Sequence, residues 1–93
     1  MKILPKYILN KLTTSEKNKL QSLLDKHHKT GEKMVEVQAI ASMAMRKETK
    51  EHPGQPWTAA TQRKINQGFK YEMIAFKASD ELKAYMEEMR KKY

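Results

Sequence analysis

The groups able to do chemistry in this chain are few, and their spacing keeps them apart. There are three histidines and no cysteine, so thiol nucleophiles, thiolate metal sites and disulfides are all excluded. His27 and His28 are neighbours; on a helix they diverge by about 100° and cannot share one ion. Glu48 and His52 stand four residues apart, a spacing that suits a ligand pair, but His52 abuts a Pro-Gly turn. It reads more simply as a cation at a helix C-terminus. Glu87 and Glu88 lie in a lysine-rich tail, where a solvated charge run accounts for them. There is no glycine-rich phosphate loop and no Gly-x-Ser-x-Gly elbow. The expectation is a protein that is not an enzyme and has neither a metal site nor a cofactor.

Tyr7 is the aromatic that no helical stripe claims. It lies between Lys6 and Lys11, ahead of the first long helix. A ring beside ammonium groups suits a nucleobase with an attached phosphate, stacking being worth about 1–3 kcal/mol per base. Packing of the N-terminal segment against a neighbour explains the same tyrosine, and the sequence leaves both open. The wider charge balance agrees with an anionic ligand: Lys+Arg number 19 against 11 Asp+Glu, a formal net charge of +8. Most of these cations are lysines, point charges for phosphate rather than readers of base edges. Charge alone does not separate a solvated surface from one that meets nucleic acid, an anionic membrane or a small phosphate ligand. The N-terminal stretch lacks an uninterrupted apolar run, so neither a signal peptide nor a membrane span is expected, and the chain reads as intracellular and soluble.

The elements that must position these groups are helical. Val35 and Val37 are the only valines and no alternating β-branched run occurs. Thr13 and Glu16 form a capping-box signature. Beyond it Leu20, His27, Met34 and Ala41 recur every seven residues, with Leu23, Thr30, Val37 and Ala44 as the companion seam. This phase runs unbroken across Gly31, which predicts one long helix over 14–50 rather than two. His52-Pro53-Gly54-Gln55-Pro56 is a tight connection, with Pro56 suited to the first turn of a second helix over 56–78. Ile65, Phe69, Met73 and Phe76 mark the apolar face of that helix, which predicts both phenylalanines in the core. Ser79-Asp80-Glu81 resembles a new cap, which predicts a short separate segment over 79–93.

The fold class predicted is therefore all-α: a short N-terminal segment, 1–13, and two long antiparallel helices in a single hairpin domain. Two helices leave each apolar stripe half covered, and a chain of this size without disulfides or metal gains its missing burial by self-association. A symmetric oligomer is expected, and a thin hairpin supplies no cleft of its own.

Leu12-Thr13 opening a long helix, the Pro-Gly turn, Trp57-Thr58-Ala59-Ala60, Asn66-Gln67-Gly68-Phe69 and the following Ala75 together resemble the anti-CBASS protein two family. These are phage-encoded sponges that sequester the cyclic oligonucleotide messengers of bacterial immunity. The resemblance spans Leu12 to about Ser79. It implies a hexamer of helical hairpins in the host bacterial cytoplasm, binding cyclic dinucleotides between protomers without cleaving them. The family's aromatic stacker and its helical lysine match most nearly Tyr7 and Lys26, with Lys6 and Lys11 beside the ring. For the family's second, cyclic trinucleotide pocket the resemblance offers Lys70 and Lys77, flanking Ile74 where an arginine would be expected. Two other readings stay open: a basic helical module for nucleic acid, less favoured, and a helix-face inhibitor of a host protein.

Overall fold

The capping box at Thr13 forms and fixes the start of the first long helix. The Glu16 amide donates to Thr13 Oγ1 at 3.2 Å, and the Thr13 amide donates back to Glu16 Oε1 at 2.9 Å. In this computed structural model, which describes residues 4–93, three helices account for the regular structure: α1 (Lys6–Leu9), α2 (Thr14–Glu51) and α3 (Ala59–Lys92). No strand occurs among the described residues. Helices α2 and α3 run antiparallel, as cross-helix contacts between residues 26 and 81, 38 and 72, and 48 and 58 require. The result is a rod with extents of 59 × 18 × 16 Å.

Helix α2 continues through Gly31, whose missing side chain faces open space. It stops where Pro53 and Gly54 intervene, Gly54 adopting the left-handed φ of 76° that a turn demands and only glycine adopts cheaply. The Glu48 carboxylate reaches across the turn to accept from the Thr58 amide at 3.2 Å. Thr58 then caps α3, accepting from the Thr61 amide at 3.3 Å. Helix α3 thus starts at Ala59 and not at 56, because Thr58 offers a side-chain oxygen to the free amides and Pro56 does not.

Two expectations fail on α3. It does not end at 78: it passes through Ser79-Asp80-Glu81 without a break and reaches Lys92. No glycine or proline follows Gly68, and Leu82, Tyr85, Met86 and Met89 continue the stripe of Ala75 and Ala78 against α2, so packing overrides the cap-like triplet. Nor are the two phenylalanines in the core. Phe69 is 60% exposed, Met73 73% and Phe76 58%. The buried stripe consists of Thr61, Gly68, Ala75 and Ala78 in the turn-side half, and larger residues beyond. With one neighbour, α3 has room for one stripe, and the phenylalanine row lies about 100° around the helix from it.

The large side chains gather at the other end of the rod. Leu4, Ile8 and Leu12, four residues apart, bring α1 down on Leu20, Leu82, Tyr85, Met86 and Met89. Ile8 and Leu82, at 1% and 0% exposure, are the largest fully buried side chains, each contributing about 1.5–3 kcal/mol. The N-terminal segment is therefore a plug for the open end of the hairpin, and its exposed residues are held in place by buried ones.

Candidate functional site

Glu16 ties the start of α2 to the end of α3. Beyond its capping role, its carboxylate accepts from Lys92 Nζ at 2.8 Å and from the Tyr93 hydroxyl at 2.6 Å, and its carbonyl accepts from the Tyr85 hydroxyl at 3.1 Å. The Lys92 ammonium, then the Thr13 amide and the Tyr93 hydroxyl, hold the Glu16 carboxyl well below 4.5, at about 2. The same contacts raise Lys92 and Tyr93 above their ordinary ranges. Lys19 lies over the Tyr85 ring at 4.8 Å.

On this frame Tyr7 points outward. Its ring is 61% exposed, while Leu4 and Ile8 anchor the turn on either side of it. Lys6 and Lys11 are exposed beside it. Lys26 lies two residues past Leu24, which packs against the same core, and so falls in the same half of the rod. It is engaged there: Lys26 Nζ bonds Glu81 Oε2 at 3.0 Å, linking α2 to α3. Both partners are substantially exposed, so this pair is worth about 0–1 kcal/mol and opens at little cost. Lys70 and Lys77 stand apart from this group. They are exposed on α3 in the turn-side and central part of the rod, with Ile74 between them 38% exposed.

A single chain offers hollows but little enclosure. Gln38, Ala41, Ser42, Met45, Ile65, Gly68 and Phe69 line an interhelical groove of about 230 Å³. That is below the roughly 300–1,000 Å³ of pockets that engulf a small ligand. A larger depression, about 580 Å³, runs along one flank of α2 past His27, Gly31 and Val35 and lies open to solvent. The His27 Nδ1 atom is buried there without a hydrogen-bond partner. Among the described residues no cluster of three histidine or carboxylate groups is spaced to hold a metal ion, and no helix is long and apolar enough to cross a membrane. Hydrogen bonding from Thr58 holds the Glu48 carboxyl below its usual range; it serves the turn, with His52 nearby.

No family model, curated protein or solved structure matches this chain.

Sequence reasoning missed the division of the rod into two sides. Placing residues at 3.6 per turn on both helices puts Val35, Ser42, Met45, Ile65, Phe69, Met73 and Phe76 along one side. Lys33, Lys47, Arg63 and Lys70 fall towards the other. Contacts agree: the groove joins Ser42 and Met45 to Ile65 and Phe69, and Lys33 approaches the Tyr71 ring at 5.8 Å. The signal lay in the two helical wheels taken together, and it becomes readable once the register between them is known.

Proposed function

We propose that the protein is a non-enzymatic sink for a cyclic dinucleotide, held between copies of a symmetric oligomer and released unaltered. The observation that carries this reading is Tyr7: an exposed ring on a segment anchored by Leu4 and Ile8, with Lys6 and Lys11 beside it. Stacking by the ring and charge from the lysines are what a base with a phosphate requires. Lys26 would exchange Glu81 for a ligand phosphate. The open hollows of one chain support a ligand site completed by a second copy. The resemblance to the anti-CBASS protein two family supplies the ligand class, the hexamer and a role in phage evasion of bacterial immunity inside the host cytoplasm. Lys70 and Lys77 would serve a cyclic trinucleotide in the same scheme. Such a protein acts by mass action, through abundance and tight binding.

A second reading, a basic module for nucleic acid, is favoured by the side of the rod carrying Lys33, Lys47, Arg63 and Lys70. Calorimetry against cyclic dinucleotides, cyclic trinucleotides and short duplex DNA separates the two. A sink gives saturable binding of a cyclic species with shallow salt dependence, since two phosphates are neutralised. A nucleic-acid module gives DNA binding that weakens steeply with salt.

A further inference from the structure

The side of the rod opposite the lysines combines protruding and receding features on one surface. Phe69, Met73 and Phe76, exposed by 60, 73 and 58%, form a ridge along α3, and Val35, 61% exposed, stands across from it on α2. Between and beside them lie two hollows: the groove over Gly68, Ala41 and Ser42, and the open depression past His27, Gly31 and Val35. Residues 38 and 72 contact one another across the helices, as do 26 and 81. Phe69 therefore stands level with the first hollow and Phe76 with the second.

We infer that this side is the contact surface for a second copy of the chain, related by a two-fold axis along the length of the rod. That operation turns the α3 ridge of each copy onto the α2 flank of the other at the same level. Phe69 then seats in the groove beside Ser42 of the second copy, and Phe76 in the depression beside its Gly31. Two glycines and two small side chains face the protruding rings, so one surface is both donor and acceptor, as a closed isologous pair requires.

The area agrees with a stable pair. At about 150–250 Å² for a large side chain, the four exposed residues offer roughly 450 Å² of apolar surface per copy. A standard interface takes about 800 Å² per partner, some 60% of it apolar, which is nearly the same amount. A two-fold axis across the rod would instead set Phe69 against Phe76, ring on ring.

This inference rests on the oligomer assumed in the proposed function, and the experiment keeps the two apart. The chain has no cysteine, so introduced ones report cleanly. Chains carrying Met73→Cys are mixed with chains carrying Val35→Cys, and masses are taken by light scattering and by non-reducing electrophoresis. The expected result is a disulfide-linked pair in the mixture and none from either variant alone. Phe69→Glu with Phe76→Glu should lower the wild-type mass with helicity unchanged, both positions being exposed in the single chain, and Met43→Glu on another face should not. A wild-type mass of one chain at micromolar concentration would overturn the oligomer and this surface together. A multi-copy wild type with no mixed crosslink, or with mass retained in the glutamate variant, would overturn this surface alone. Crosslinking of Met73→Cys with itself would overturn the axis.

Discussion

Glu16 links the start of α2 to the end of α3, and its titration gives that link a sign. Its carboxyl is held at about 2, below the 4.5 of an unperturbed glutamate. A group depressed by folding stabilises the folded state fully above its unfolded value and loses that contribution as pH falls through the folded one. The melting temperature should therefore fall between about pH 4.5 and 2, and Glu16→Gln should flatten that part of the profile. Parallel profiles for the two proteins, measured by circular dichroism, would remove Glu16 from this role. Tyr7 and Lys26 carry the binding reading at the same scale. Tyr7→Ala should leave helicity intact, because the ring is exposed, and should weaken cyclic dinucleotide binding about tenfold to a hundredfold. Lys26→Ala should also weaken binding, while Glu81→Gln should strengthen it a few-fold by releasing the lysine. Unchanged affinity in all three would strip the site of its residues. The capping role of Glu16 is written in the Thr13-to-Glu16 spacing. Its bonds to Lys92 and Tyr93 span more than seventy residues, and no local pattern announces them.

At the scale of the element, the long helix is the clearest outcome of periodicity, and Gly31 is the instructive point in it. A seven-residue phase preserved across a glycine argues for continuity, and α2 is continuous there. Within one hairpin a methyl group at Gly31 would meet nothing within 4 Å, so in the dissociated Phe69→Glu, Phe76→Glu background Gly31→Ala should stabilise the chain by about 0.5–1 kcal/mol through helix propensity. A lower denaturation midpoint in urea, measured on the single chain, would mean that the position is crowded or kinked. Helix α3 departs from its local sequence signals for two physical reasons. Ser79-Asp80-Glu81 has the composition of a cap, but a cap acts only where the preceding helix stops, and nothing stops it. Large apolar residues are usually buried, which points to the aromatic row as the inner face. Close helix pairing instead selected the small ones, Gly68, Ala75 and Ala78, and displaced the phenylalanines to the flank.

For the whole molecule, a rod 59 Å long and under 20 Å across cannot surround its apolar residues, and it leaves four of them more than half exposed along one side. Composition and length predict that shortage; which side bears it depends on the register between α2 and α3, and that emerges only from packing. Tyr7 was legible as unclaimed by any stripe, and it is exposed. The engagement of Lys26 by Glu81 was not legible, because the two residues meet across the hairpin. Capture without turnover can be checked in a single experiment. Cyclic dinucleotide is titrated calorimetrically into the wild-type protein at known mass, and the bound ligand is then freed by heating and chromatographed. The expected result is saturable binding with fewer ligands than chains, little change between low and physiological salt, and recovery of intact cyclic ligand. Absence of binding, or recovery of a linear product, would contradict it.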